Sequence, residues 1–382
     1  MARNRCLPRV EILEDRRLLS TIVAPVASNV HQPRPQAAHS DFFAIGGAPG
    51  RVDVFRSSDH SLLASFLPFG GFYGVGVAVA VGDVTGDGTP DLIVGSTEGT
   101  SRVRIYNGRD ILNDSFDPVD SLIVQFSAYG SFNVGVNLAV GYITSNQFAD
   151  IVTGANQGNP HVKIFRGSAI ADGTFNPANP DASLVTSFFA YPLQFNVGAS
   201  VAVGDVEGTG VADIITGATT GNPHVKVYGG QAIADGTFDT ANPDADLLTS
   251  FFAYAVGNDI GVNVAVADTN GDGNADIITG ASAGNSHVKV FDGQAIANGT
   301  FDDADPDASL LTQFFAYDPG LAGGVRVASA DFNGTGFAQI LTGNYNGPPH
   351  YRILRGDAAG INPPALFEGY PFGFQDSLYV GA

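Results

Sequence analysis

Residues 199–254 read ASVAVGDVEGTGVADIITGATTGNPHVKVYGGQAIADGTFDTANPDADLLTSFFAY, and the chain repeats this unit along most of its length. Close copies run from 136 to 191 and from 262 to 317, and more distant copies cover 77 to 129 and 325 to 374. One basic position recurs every 63 residues, at Lys163, Lys226, Lys289 and Arg352. A fixed period of this kind indicates a repeat architecture, in which each unit buries its apolar face against its neighbours.

Each unit contains four short runs with strand-like composition, separated by clusters of Gly, Asn, Asp and Pro. In residues 199–254 these runs are SVAVGD, DIITGA, HVKVYG and LLTSFFAY, which we name strands a, b, c and d. Small residues in strand a suit the crowded axis of a propeller, and aromatic residues in strand d suit the wider space between blades. No segment keeps a 3.6-residue apolar period, so we expect few helices. The pattern predicts an all-β propeller of four-stranded antiparallel blades.

The two ends of the repeat region are incomplete in complementary ways. Residues 41–55, DFFAIGGAPGRVDVF, match strands b and c without a strand a before them, and residues 377–382, SLYVGA, match strand a alone. Pairing the terminal strands would complete one blade and remove an exposed sheet edge. We therefore predict six blades over residues 41–382, closed by pairing of the N- and C-terminal strands.

Composition narrows the range of partners. The net charge is −20, with 44% apolar residues and 49 Gly. So acidic a chain is a poor fit for nucleic acid or for an anionic membrane surface, and no apolar run reaches the ~20 residues of a membrane span. The single Cys6 excludes an internal disulfide. We expect a monomer whose partner is an extracellular protein or a glycan.

Residues 1–40 differ from the repeats. Residues 8–20, PRVEILEDRRLLS, resemble the LEPR-XLL type of N-terminal motif that begins many exported and surface proteins of environmental bacteria. Arg16 and Arg17 followed by LLSTIVAPVAS also have the order of a weak signal peptide. We predict that residues 1–40 are a disordered export or sorting segment with a linker, and that the protein is extracellular or in the cell envelope.

The loops between strands a and b carry the candidate chemistry. Residues 83–91, DVTGDGTPD, and 268–276, DTNGDGNAD, place oxygen donors at positions 1, 3, 5 and 9, with a carbonyl available at position 7 and Gly at position 6. Such spacing wraps a short loop around a hard cation, and carboxylate and carbonyl oxygens favour Ca²⁺. The alternative is a plain Asx-type turn. The predicted calcium site residues are Asp83, Thr85, Asp87, Thr89 and Asp91, and Asp268, Asn270, Asp272, Asn274 and Asp276.

The remaining a–b loops lose this pattern gradually. Residues 205–213 keep Asp205, Glu207 and Asp213 but have Thr209 at position 5, which predicts a weaker site. Residues 331–339 and 142–150 lose most of their carboxylates, and we expect them not to bind metal.

Residues 76–96, GVAVAVGDVTGDGTPDLIVGS, and 261–282, GVNVAVADTNGDGNADIITGAS, resemble the FG-GAP/VCBS repeats of integrin α-subunit heads and of many bacterial secreted proteins. The resemblance extends over about 340 residues of the chain. It implies a propeller with Ca²⁺ in the a–b loops. Integrin heads have seven blades and this chain has six, so the integrin mode of ligand binding is not carried over.

For three further repeated features, a structural interpretation is favoured over a role in binding. His161, His224, His287 and His350 begin strand c, where packing or hydrogen bonding is favoured over a metal cluster. The basic residue two positions later is interpreted as an interblade ion pair. The acidic c–d connections are interpreted as surface segments, with cation binding by Asp239, Asp244, Asp302 and Asp307 as the alternative.

Function is predicted from what the repeats offer. HExxH and phosphate-loop motifs do not occur in the sequence, and we expect no catalytic residues and no enzyme. The first hypothesis is an adhesion or protein-interaction module at the bacterial cell surface, the second a lectin-like carbohydrate binder, and the third a polysaccharide-acting enzyme. Phe72, Tyr73, Phe132 and Phe195 in the d–a connections, opposite the calcium loops, are the candidate binding residues, with packing between blades as the alternative.

Overall fold

The computed structural model describes residues 40–48, 50–70, 76–320, 323–345, 348–371 and 378–382. The predicted export segment 1–40, apart from Ser40, lies outside the described residues, as do Phe72 and Tyr73. Six sheets, each with four core strands, make up the propeller, as the repeats predict. No helix among the described residues is long and apolar enough to cross a membrane.

Blades 1 to 5 follow in chain order, and each runs from strand a at the axis to strand d at the rim. Blade 1 contains β4 (Val77–Gly82), β5 (Asp91–Ser96), β6 (Arg102–Tyr106) and β7 (Leu122–Ser127); blade 2 contains β8 (Val136–Gly141), β9 (Asp150–Ala155), β10 (His161–Phe165) and β11 (Leu184–Phe189); blade 3 contains β12 (Ser200–Gly204), β13 (Asp213–Gly217), β14 (His224–Tyr228) and β15 (Leu247–Phe252). Blade 4 contains β16 (Val262–Ala267), β17 (Asp276–Ala281), β18 (His287–Phe291) and β19 (Leu310–Phe315); blade 5 contains β20 (Val325–Ala330), β21 (Gln339–Asn344), β22 (Tyr351–Leu354) and β24 (Phe367–Gly369).

The sixth blade, the closure blade, joins both ends of the chain. It contains β1 (Phe42–Gly47), β2 (Arg51–Arg56), β3 (Leu62–Phe66) and β25 (Leu378–Gly381). β25 pairs antiparallel with β1, from Ala44 opposite Gly381 to Gly47 opposite Leu378. The predicted closure by terminal strands is therefore confirmed.

Packing explains the composition of strands a and d. A methyl group added at Gly141 in strand a would lie 2.4 Å from Cγ1 of Val203 in the next blade, so the axis has no room for bulk. At larger radius, Phe188 packs against Tyr228 of the next blade with ring centroids 4.9 Å apart. Neighbouring blades thus share one apolar core along each interface.

The c–d connections contain short helices that the sequence pattern does not reveal. They are α1 (Gly108–Leu112), α2 (Gly167–Ala171), α3 (Gly230–Ala234) and α4 (Gly293–Ala297), followed by 3-10 helices at Pro180–Ser183, Pro243–Asp246 and Pro306–Ser309. A further 3-10 helix, Leu193–Phe195, lies in the d–a connection after blade 2. In blade 5 the c–d connection instead forms β23 (Gly360–Ile361), which pairs parallel with β19 of blade 4. That pairing gives blade 4 a fifth strand and ties two blades together at the rim.

Candidate metal-binding loops

The a–b loops are named by blade: loop 1 (83–91), loop 2 (142–150), loop 3 (205–213), loop 4 (268–276) and loop 5 (331–339). The turn in four of them is closed by the aspartate at position 1, whose Oδ2 accepts the amide N–H of the glycine at position 6 at 2.6–3.0 Å. Because loops 3 and 5 share this bond without a carboxylate at position 5, position 1 has a structural role that is independent of metal.

The aspartate at position 9 joins each loop to the helix that follows strand c. Oδ1 of Asp91, Asp150, Asp213 and Asp276 accepts the amide N–H of the first helical glycine at 2.8–3.2 Å. The other carboxylate oxygen accepts amide N–H groups of its own loop. These bonds explain why loop 2 keeps Asp150 alone among the carboxylates. Loop 5 has Gln339 instead, whose Oε1 accepts the N–H of Phe332 at 2.8 Å.

Burial shifts the titration of these position 9 carboxyl groups. Desolvation raises the pKa of Asp91 and of Asp276 to about 6 and that of Asp213 to about 7, while hydrogen bonds from backbone N–H groups oppose the rise. A buried carboxylate with a raised pKa is stabilised in its charged form by a nearby cation.

Loop 4 gathers more carboxylates than its own sequence supplies. Three carboxylate oxygens lie within 4.8 Å of one another, one each from Asp272, Asp276 and Asp292. This spacing suits shared ligation of one cation. Asp292 caps the N-terminus of α4 and accepts the amide N–H of Gln294 at 2.9 Å. Asp292 is not among the predicted site residues, because it lies outside the loop motif. The available signal was its place in the repeat, immediately before the first glycine of the helix.

The side chains at positions 3 and 7 of loop 4 serve the loop itself and the neighbouring blade. Nδ2 of Asn270 donates to Oδ2 of Asp272 at 2.8 Å. Nδ2 of Asn274 donates to the carbonyl oxygen of Val206 at 2.8 Å. The Asn274 side chain therefore holds loop 4 against loop 3, and the metal ligand predicted at position 7 would be the backbone carbonyl.

Loop 1 has the same motif in different surroundings. Oγ1 of Thr85 is buried and lies beside the Asp91 carboxylate, whose pKa it lowers through a side-chain hydrogen bond, so positions 3 and 9 of this loop lie together. Asp87 at position 5, however, forms an ion pair with Arg109 of α1, with Nε and Oδ2 2.9 Å apart. Arg109 also donates from Nη2 to the carbonyl oxygen of Asp87 at 2.6 Å, and its Nε lies 3.4 Å from Oγ1 of Thr89.

In loop 3, the position 9 Asp213 anchors α3 in the same way, and Oδ1 of Asp205 accepts the amide N–H of Thr209 at 2.9 Å. Burial, and to a smaller extent the nearby Asp205, raise the pKa of Glu207. In loop 3, Asp205 and Asp213 therefore stabilise the backbone through hydrogen bonds, and Glu207 is the remaining acidic side chain.

A cavity of about 460 Å³ opens on the axis at the end where these loops lie. It is lined by the ends of strand a and by residues of loops 1, 2, 3 and 5, including Asp83, Asp205 and Asp331. The predicted placement of the a–b loops together at one end of the propeller is consistent with this lining.

The repeated histidines pair with neighbouring strands. Nε2 of His161 lies 2.7 Å from Oγ of Ser187 and Nε2 of His224 lies 2.8 Å from Oγ of Ser250, while His287 pairs with Gln313 and His350 with Glu368. Each ring also packs on an aromatic ring of strand d or of the segment that follows it, namely Phe189, Phe252, Phe315 and Tyr370. The packing and hydrogen-bonding interpretation accounts for all four rings.

The repeated lysines correct one prediction. Nζ of Lys163, Lys226 and Lys289 pairs with Asp181, Asp244 and Asp307 of the same blade at 2.5–2.6 Å, so the expected interblade ion pair is wrong. The contact between blades is instead a cation–π one: Nζ of Lys226 lies 5.6 Å from the ring centroid of Tyr191 in the preceding blade. The ion pairs also engage Asp244 and Asp307, and Asp239 and Asp302 accept backbone N–H groups of their own loops.

Two of the candidate binding rings in the d–a connections, Phe132 and Phe195, lie in the part of the chain that the structure describes, and both are exposed. Phe132 is 71% exposed and Phe195 is 61% exposed. Neither ring therefore fills the space between blades, which was the alternative interpretation.

The two segments that match a known family are the ones that contain the loops with the full motif. A family model for the FG-GAP repeat matches residues 75–107 and 261–296, which contain loop 1 and loop 4. A search of curated proteins found no match. FG-GAP repeats often bind calcium and are typical of extracellular domains, and the fold serves as a protein-interaction module. The chain is a six-bladed β-propeller in which residues 75–107 and 261–296 match the FG-GAP repeat.

Proposed function

We propose that this protein is an exported, calcium-binding β-propeller that acts as an adhesion or protein-interaction module at the bacterial cell surface and not as an enzyme. The observation that carries the proposal is the set of carboxylates in loops 1 and 4, the two loops that the FG-GAP repeat matches. Three aspartates within nine residues repel one another, and a bound divalent cation relieves that repulsion.

The residues of both loops fit calcium. Loop 4 offers Asp272, Asp276 and the additional Asp292, whose oxygens lie close enough to share one ion. Loop 1 offers Asp87 and Asp91 together with the buried Oγ1 of Thr85 beside Asp91. A bound ion would cross-link strands a and b of a blade to the helix after strand c, because the position 9 aspartate contacts both the loop and that helix.

We assign partner binding to the face of the propeller opposite the a–b loops. Loops held by a rigid scaffold usually carry binding, and the d–a connections there present Phe132 and Phe195 to solvent. Exposed aromatic rings anchor many protein interfaces. In contrast, the repeated lysines pair with aspartates and the repeated histidines with side chains of strand d, all within the scaffold.

A lectin-like function is the second candidate, and exposed rings on the outer strands favour it. Phe189 and Phe252 of strand d are 39% and 41% exposed, and each packs on a histidine of strand c. A repeated, partly exposed aromatic surface can stack on sugar rings.

The test compares the wild-type chain with a Phe132→Ser/Phe195→Ser variant and with a Phe189→Ser/Phe252→Ser variant. Saturable binding to an envelope fraction of the parent cell, lost in the first variant only, supports the interaction module. Binding on a glycan array that is lost in the second variant only supports the lectin. Melting temperatures of all three proteins control for folding, and wild-type protein that binds neither target would overturn both functions.

A further inference from the structure

We infer that loops 1 and 4, although they share one motif, form calcium sites of very different affinity, with loop 4 tight and loop 1 weakened by an internal cation, Arg109. The inference rests on the proposed calcium binding. It concerns two side chains outside the motif, Arg109 and Asp292, which belong to the helices that follow strand c.

The two helices present opposite charges to otherwise matching loops. In blade 1 the guanidinium of Arg109 contacts the position 5 carboxylate, the carbonyl oxygen of the same residue and the hydroxyl at position 7. In blade 4 the carboxylate of Asp292 joins the carboxylates at positions 5 and 9. In loop 1 the guanidinium of Arg109 therefore occupies the side of Asp87 that a calcium ion would use. In loop 4 the carboxylate of Asp292 lies at the corresponding position beside Asp272.

The repeat shows that both side chains are particular to their blades. The positions aligned with Arg109 hold Ser168, Gln231, Gln294 and, in blade 5, Asp357, none of which is basic. The positions aligned with Asp292 hold Asn107, Arg166, Gly229 and, in blade 5, Arg355. Among blades 1 to 5, the only carboxylate at this second position thus lies beside loop 4, and arginines lie there beside loops 2 and 5, which have lost most of their carboxylates.

Charge counting gives the direction of the effect. Loop 1 has three aspartates and Arg109, a sum of −3 + 1 = −2, and loop 4 has three aspartates and Asp292, a sum of −3 − 1 = −4. Affinity of a calcium loop rises with the number of charged ligands. Binding at loop 1 also requires the contact between Arg109 and Asp87 to break. Arg109 is half-exposed, so it can swing into solvent, and loop 1 remains a site of lower affinity.

The experiment measures calcium binding by isothermal titration of the full chain after removal of metal with chelator. Asp272→Asn leaves loop 1 as the site under test, and Asp87→Asn leaves loop 4. We expect loop 4 to bind Ca²⁺ at least about tenfold more tightly than loop 1, a difference of about 1.4 kcal/mol. The melting temperature of each variant in EDTA verifies folding.

Two matched exchanges test the cause. In the Asp272→Asn background, Arg109→Gln should tighten loop 1 severalfold, whereas Arg109→Lys, which keeps the charge, should change its affinity much less. In the Asp87→Asn background, Asp292→Asn or Gln294→Arg should weaken loop 4. All of these differences should shrink as salt is raised.

The outcomes separate this inference from the proposed function. Calcium binding with equal affinity at both loops, or an unchanged loop 1 after Arg109→Gln, would overturn the inference and leave calcium binding intact. A wild-type chain that binds no calcium would overturn both.

Discussion

A buried tyrosine hydroxyl joins each of blades 2 to 5 to the preceding blade, and removing one should cost a measurable part of the stability. The hydroxyl of Tyr254, at the end of strand d in blade 3, donates to the carbonyl oxygen of His287 in blade 4 at 2.9 Å and lies 3.1 Å from Oγ1 of Thr279. Tyr191 makes the same contacts one blade earlier, with the carbonyl oxygen of His224 at 2.8 Å. The phenyl ring stays packed in Tyr254→Phe, so the substitution removes only the hydroxyl.

Loss of these bonds leaves the buried carbonyl without this donor, which should lower the free energy of unfolding by about 1–2 kcal/mol. Urea unfolding should show a lower midpoint with an unchanged slope. Tyr370→Phe is the matched control, since this ring is exposed, and it should change the free energy by less than about 0.5 kcal/mol. Tyr191→Phe combined with Tyr254→Phe should be close to additive. A cost below about 0.3 kcal/mol for Tyr254→Phe would refute the interblade role of the hydroxyl.

Three further predictions follow from the scaffold. Burial lowers the pKa of His161 and of His224 to about 4, so the unfolded chain binds protons more readily than the folded chain between pH 4 and 6.5. These rings should therefore lower the free energy of unfolding as pH falls through that window. Urea titrations should show a weaker pH dependence in a His161→Gln/His224→Gln variant, and an unchanged pH dependence would contradict this. Lys226 is buried and Asp244 is half-exposed, so Asp244→Ala, which strands the ammonium, should destabilise more than Lys226→Met in thermal melts, and the reverse order would disprove the argument. Deleting residues 378–382 exposes the edge of the closure blade and should cause aggregation or loss of cooperative unfolding, whereas soluble, cooperative behaviour would show that closure is dispensable.

The architecture can be predicted from the sequence because the same four-strand pattern recurs in every unit. The 63-residue spacing of Lys163, Lys226 and Lys289 and the incomplete units at the two ends are enough to predict six blades and their closure. Helices α1 to α4 are only five residues long, too short to show an apolar period. Strand β23 has two residues, and its pairing with another blade is a tertiary contact without a local signal.

The candidate site is predictable only as far as its motif extends. Positions 1 and 9 are recognisable as aspartates, but their use as scaffold is visible only from the amide groups that they accept. Arg109 and Asp292 approach their loops from the c–d connection, and this approach depends on how the helix packs against strand b. The lysine ion pairs were assigned to the wrong neighbour because their aspartates lie 18 residues away in the 3-10 helices of the same blade.

The central claim is that calcium in loops 1 and 4 stabilises the propeller. The most direct measurement is the melting temperature of the full chain in EDTA and in CaCl₂, with MgCl₂ of equal concentration as the control for ionic strength. A site saturated at about 100 times its dissociation constant adds about 2.7 kcal/mol. Calcium should therefore raise the melting temperature clearly and more than magnesium does, and an Asp87→Asn/Asp272→Asn variant should lose most of the response. An identical melt in EDTA and in calcium would contradict the claim.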